Sequence, residues 1–239
     1  MTSAASAGQA QASPQATRSS ASAGQAQPSS QTTGSTAAAG QASAPAGPSA
    51  PAPDHFGLAL YYQRVGDYDN ALAQYRLLLE RSDASAEVHN NLGLLYQDRG
   101  DLDAATRQFQ RAIAISPRYV KAHNNLGVAH LRAGRFDQAA AELRVALVDD
   151  PRNVESLVNL ALVQRAAGQI VQARELLQRA VAVDPQHAGS HYNLAVVADE
   201  SGNAGLAITH YRTFLRLGAV AHPDLAVRVR TRLAALEAV

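Results

Sequence analysis

Residues 86–119 read AEVHNNLGLLYQDRGDLDAATRQFQRAIAISPRY, and residues 120–153 read VKAHNNLGVAHLRAGRFDQAAAELRVALVDDPRN. Laid over one another, the two stretches keep one register. HNNLG at 89–93 returns at 123–127, and Gly100 and Ala105 return as Gly134 and Ala139. Outward from this pair, Gly66, Gly100, Gly134, Gly168 and Gly202 stand 34 residues apart without a slip. Leu58, Leu92, Leu126, Leu160 and Leu194 keep the same step, as do Ala71, Ala105, Ala139, Ala173 and Ala207. A fixed period of this length marks a stack of supersecondary units, each burying its apolar face against its neighbours. The units are 52–85, 86–119, 120–153, 154–187 and 188–221.

Within a unit, apolar residues recur at three- and four-residue steps on either side of the glycine, which predicts two helices. In the second unit the first helix carries Val88, Leu92, Leu95 and Tyr96, and the second carries Leu102, Ala105, Phe109, Ala112 and Ile113. Gly100 between them suits the left-handed conformation that closes a helix, which costs energy for a residue with a Cβ. Asp69, Asp103 and Asp137, three residues past the glycine, are expected to cap the second helices. Val171 and Gly205 at the matching places predict frayed starts in the fourth and fifth units. Pro117, Pro151 and Pro185, preceded by Ser116, Asp150 and Asp184, end the second helices.

Leu92, Gly93, Tyr96, Gly100, Ala105, Phe109, Ala112 and Pro117 together resemble the signature of the tetratricopeptide repeat, and the other units keep most of it. The resemblance covers 52–221. It implies an all-α superhelical solenoid of helix-turn-helix repeats whose first helices line a concave surface. Beyond it, Pro223 opens a stretch in which Leu225, Val229, Leu233 and Leu236 form one apolar stripe under Arg228, Arg230 and Arg232, so 222–239 is expected to be a capping helix.

The first 53 residues are Ala, Ser, Gly, Gln, Pro and Thr, with Arg18 the single charge and no large apolar side chain after Met1. Such a composition buries too little surface to offset chain entropy, so 1–53 is expected to be a disordered tail. ASAGQAQ begins at Ala5 and again at Ala21, a low-complexity period, and Pro45, Pro48, Pro51 and Pro53 stiffen its end.

A net charge of +1, with no basic stripe interleaved with aromatics, argues against a nucleic-acid partner. The absence of cysteine excludes disulfides, thiolate metal sites and cysteine nucleophiles. No apolar run is long enough to span a bilayer, and no secretory signal is recognisable. The cytoplasm is therefore the default compartment, and the periplasm the alternative if the true start lies upstream. A monomer is expected.

Neither a phosphate-cradling glycine loop, a Gly-x-Ser-x-Gly elbow nor a His-Glu-x-x-His helix occurs, so no catalytic site, cofactor or metal is expected. His55, His89, His123 and His191 share the fourth position of their units. Equivalent positions on packed helices lie about 8–10 Å apart, too far to share a zinc whose nitrogen ligands sit at about 2.0–2.1 Å. These imidazoles are read as filling a site where the family places an aromatic. His187 and His191, four apart, have no acidic ligand beside them.

A second row carries the functional reading. Asn91, Asn125, Asn159 and Asn193 each precede the signature leucine, with Gly57 in the first unit. The resemblance places this sixth position, with the second, fifth, ninth, twelfth and thirteenth, on the concave face. A primary amide offers donors and an acceptor, so such a row can hydrogen-bond the backbone of an extended peptide whatever its sequence. It resembles the asparagine ladder of the O-linked N-acetylglucosamine transferase superhelix. The alternative is that the amides solvate the groove or steady neighbouring helices. Asn90, Asn124, Leu94, Val128 and Tyr192 complete the expected peptide-binding surface, and Lys121, Arg132 and Arg165 at its centre suit an acidic residue mid-peptide. The two-carboxylate clamp of heat-shock co-chaperones is only partly matched by Phe56, Leu60, Asn91, Lys121 and Asn125. The expectation is thus a non-catalytic protein-interaction scaffold holding a partner's peptide segment. A cell-envelope or pilus assembly factor, and the substrate-recognition array of a glycosyltransferase-like system, are the alternatives.

Overall fold

A computed structural model describes residues 54–81 and 85–238. The expected tail, with its sixteen-residue period and prolines, lies outside the described residues, as do the first two residues of the first unit. Among the described residues eleven helices run in chain order. The pairs are α1 (His55–Val65) with α2 (Tyr68–Arg81), α3 (Ala86–Asp98) with α4 (Leu102–Ile115), and α5 (Val120–Arg132) with α6 (Phe136–Asp149). They continue with α7 (Val154–Ala166) and α8 (Ile170–Val183), then α9 (Ala188–Glu200) and α10 (Ala204–Gly218), and end on α11 (Pro223–Glu237). Each first helix packs on its own second helix, and each second helix packs on the next first helix.

The spacing glycines adopt positive φ of 72–83°, and a Cβ on the last four would meet nothing within 4 Å, so backbone conformation alone selects them. Gly93 has a different reason. A Cβ on it would stand 2.5 Å from Phe109 Cε1, so its absence lets α3 close onto α4. Ala105, Ala139, Ala173 and Ala207 are fully buried at the matching crossings of the second helices.

The caps differ from expectation. Asp101, directly after Gly100, accepts from Ala104 N at 2.9 Å, and Asp67 and Asn203 do the same from Asn70 N and Leu206 N. The helix starts one residue after the glycine's neighbour, which puts Asp69, Asp103 and Asp137 inside the first turn. There a carboxylate complements the macrodipole without capping an amide. Asp69 and Asp103 reach instead to Arg99 and Arg135 of the next unit, both at 3.2 Å. The fifth unit, expected to fray, is capped by Asn203, whereas Arg135 and Gln169 give α6 and α8 no side-chain cap.

The two ends of the stack are unlike. Leu58 is 39% exposed where Leu92, Leu126, Leu160 and Leu194 are 1–5% exposed, and Tyr61 is 51% exposed where Leu95, Ala129, Val163 and Val197 are at most 1%. No described helix covers that side of α1. At the other end α11 buries Ala226 and Val229 against α10 and presents Val227, Arg230 and Thr231 outward.

Candidate functional site

The first helices α3, α5, α7 and α9 stand side by side, α3 touching α5, α5 touching α7 and α7 touching α9, and their shared rows define the candidate groove. Its floor row is the ninth position, where Leu94, Val128, Leu162 and Val196 are half-buried and Leu60 is exposed. Lys121 and Arg132 are both exposed at the rim. Tyr192 is half-buried, its ring 5.4 Å from that of Phe214 and 6.5 Å from that of Tyr211.

The asparagine row is bonded within the protein. Asn125 Nδ2 donates to Asn90 Oδ1 at 2.9 Å, and Asn159 Nδ2 donates to Asn124 Oδ1 at 3.0 Å, each reaching from the sixth position to the fifth position of the preceding unit. Ser156 Oγ donates to the same Asn124 oxygen at 3.2 Å. Where Val158 replaces the fifth-position asparagine, Asn193 Nδ2 turns to Gly189 O in its own helix, at 2.9 Å. Asn91, preceded by Phe56 in the first unit, receives only a long contact of 3.5 Å from Asn90 Nδ2. Asn90 is 3% exposed and supports the row rather than lining the groove. The amides expected to offer both donors and an acceptor to a peptide are thus half committed within the protein. Asn125 and Asn159 hold neighbouring units together through nitrogen, and the carbonyl oxygens of these half-buried side chains make no hydrogen bond among the described residues.

A second set of links joins the twelfth position of one unit to the thirteenth of the next. Gln63 Nε2 donates to Asp98 at 3.2 Å, and Arg165 forms a two-armed ion pair with Glu200, through Nε at 2.7 Å and through Nη2. Arg165 is therefore engaged, and of the three expected central cations it is not open to an acidic ligand. Asp199 is held by Arg232 at 2.6 and 2.7 Å, which lowers its pKa, and accepts from Tyr211 Oη at 3.4 Å. Burial, then Asp199, raises the Tyr211 phenol well above its usual range. The equivalent Tyr75, bonded to Gln63, is pushed up to about 12 by burial and then by Glu87.

The fourth-position histidines have partners that sequence reasoning missed, each nineteen residues on in the second helix. His55 meets Gln74 at 2.7 Å, His89 meets Gln108 at 2.8 Å, His123 meets Glu142 at 2.7 Å and His191 meets His210 at 2.9 Å. The fourth unit has Leu157 and Leu176 at these positions. The sequence carries only a weak signal for them, a polar residue of no fixed type nineteen positions after each histidine. His123 and His191 also bond through Nε2 to the carbonyls of Pro117 and Pro185, at 3.0 and 3.1 Å. His187 instead caps α9 through Ser190 N at 3.1 Å. Among the described residues no group of three or more His, Cys, Asp or Glu side chains could hold a metal ion. His130 is buried with Nδ1 unbonded among the described residues, and desolvation followed by Arg135 lowers its pKa. Burial and then His191 lower that of His210.

A stack of antiparallel helix pairs with one continuous inner face, joined unit to unit by side-chain links, defines a helical-repeat interaction scaffold. Models of the tetratricopeptide repeat match residues 52–118, and again 90–154 and 158–222, and the chain belongs to that family. Its fold is similar to that of PilF from Pseudomonas aeruginosa, at 22% identity and a TM-score of 0.63, over 76% of this chain and 90% of that one. A thermophilic TPR protein of Thermus thermophilus aligns at 21% identity with a TM-score of 0.63, over 78% of this chain and 98% of that one. MamA from Desulfovibrio magneticus aligns at 18% identity with a TM-score of 0.61, over 70% and 95%. No curated protein sequence matches the chain. Among the described residues no helix is long and apolar enough to cross a membrane.

Proposed function

We propose that this chain is a non-catalytic scaffold whose concave groove holds an extended polypeptide segment of a partner protein. The observation that carries this reading is the pairing of two rows on one inner face. An aliphatic floor at Leu94, Val128, Leu162 and Val196 runs beside the carbonyl oxygens of Asn125 and Asn159, which no other group uses among the described residues. The floor offers burial to side chains of the ligand, and the oxygens offer acceptors to its backbone N–H groups. Because their nitrogens are tied to the preceding unit, those oxygens are held in place before a ligand arrives, which lowers the ordering cost of binding.

The fold neighbours support the architecture at 18–22% identity and say nothing of this chain's partner. The test uses the full chain with a photo-crosslinking phenylalanine analogue at Val128, and in a separate variant at Val148, a 79%-exposed residue of α6. In lysate of the source cells, discrete adducts are expected from position 128 and not from 148, and Val128→Glu should abolish capture by affinity-tagged chain. Adducts only from 148, or none from 128, would sink the groove reading.

A further inference from the structure

The floor row does not stop with the fifth unit. In α11, Arg232 pairs with Asp199 in the way that Glu200 pairs with Arg165, except that the link spans 33 residues where the other spans 35. α11 thus stands where a sixth first helix would stand, two residues early in sequence. The residue four before the linking position is Leu94 ahead of Asp98 and Val196 ahead of Glu200; in α11 it is Arg228, ahead of Arg232. An aliphatic floor therefore ends on a guanidinium.

Arg228 is exposed and forms no hydrogen bond or ion pair with the described residues, Asp224 one turn earlier included. It lines a cavity of about 150 Å³ with Tyr192, Tyr211, Leu225, Val229 and Arg232. Two of the donors on that wall are taken, since Arg232 is bound to Asp199 and Tyr211 Oη donates to the same carboxylate. Two are open: the Arg228 guanidinium, and the Tyr192 hydroxyl, which makes no hydrogen bond among the described residues. Asp199 is already paired with Arg232 and Glu200 with Arg165, so neither of these acids engages Arg228. The volume is well below the roughly 300–1,000 Å³ of small-molecule sites and suits one side chain.

Resting on the groove reading above, we propose that this cavity receives a carboxylate of the bound polypeptide, from an acidic side chain or from the chain terminus, at the end of an apolar stretch lying along the floor row. A planar guanidinium and a phenol hydroxyl on one partly apolar pocket match the two oxygens of a carboxylate.

The probes are three acetylated peptides of alternating leucine, serine and valine: one neutral and amidated, one ending in aspartate amide, and one ending in a free α-carboxylate. Binding to the full chain is followed by amide chemical-shift titration. One or both acidic peptides should bind about three- to tenfold tighter than the neutral one at low salt, and shift Tyr192 and Val229. Which of the two gains identifies the source of the carboxylate. Arg228→Leu, which installs the side chain the row carries elsewhere, should erase the gain, so that the acidic and neutral peptides bind this variant alike. Arg228→Lys should retain part of the gain, and Tyr192→Phe should reduce it. If all three peptides bind alike, or the gain survives Arg228→Leu, the carboxylate assignment is overturned while the groove reading stands. If none binds, both are overturned.

Discussion

Replacing Asn125 by Ala removes the one close donor that Asn90 Oδ1 has among the described residues, on a side chain that is 3% exposed. Water cannot readily reach that oxygen, so the loss is larger than one exchanged hydrogen bond. An unsatisfied buried acceptor costs about 1–3 kcal/mol, and in a protein of this size each kcal/mol lowers Tm by roughly 2–4 °C. Asn159→Ala removes the equivalent donor one unit later, but Asn124 Oδ1 keeps Ser156 Oγ at 3.2 Å. The expected loss there is smaller, about 0.5–1.5 kcal/mol. The chain itself shows the remedy. Val158 occupies the fifth position without a polar partner, and the facing Asn193 bonds within its own helix. The double variant Asn90→Val with Asn125→Ala should therefore recover most of what Asn125→Ala loses, because both ends of the bond become apolar. Helical circular dichroism through heating and urea titration reads all four proteins. An Asn125→Ala variant that melts with the parent, or one that loses less than Asn159→Ala, would refute the brace.

Other expectations follow from the same geometry. Gly134→Val puts a β-branched residue at φ 72°, and thermal melting should show a loss of about 1–3 kcal/mol although no side chain is struck. A variant beginning at residue 54 should keep the parent's Tm, and a clear drop would show that the preceding residues dock on the helices. His130 and His210 have pKa values below the usual 6.5 in the folded protein, so the unfolded chain binds more protons as pH falls through that value. Stability is then full above about pH 6.5 and declines below it, read as a lower urea midpoint at about pH 5.5 than at about 7.5. His210→Gln recreates the His–Gln pairing of the first two units and should flatten that decline.

Periodicity alone located every helix pair, because Gly100 and its counterparts, the leucine row and the alanine row all repeat by 34 and report faces of helices. What it hid depends on geometry between elements. Asp103 and Asp101 are both capping types near Gly100, and only the point at which the backbone turns helical selects Asp101. The Asn90–Asn125 and Asn124–Asn159 bonds span 35 residues, one more than the repeat, so each row looks self-contained until the helices are stacked. The histidine row was visible and its partners nineteen residues on were not, since Gln, Glu and His share no single chemistry along that column. The break in register after the fifth unit is a two-residue offset, detectable only through the Asp199–Arg232 link.

The exposure of Leu58 and Tyr61 gives the array a direction of growth. A further 34-residue unit placed ahead of α1 would set its second helix against a face that already carries the side chains internal junctions use, and no contact between the described helices would have to break. Lengthening at the other end requires α11 to be prised from α10, with the burial of Ala226 and Val229 and the Asp199–Arg232 pair given up first. Duplication of repeats in this lineage, and engineered extension alike, should therefore be tolerated at the front of the stack and resisted at the back.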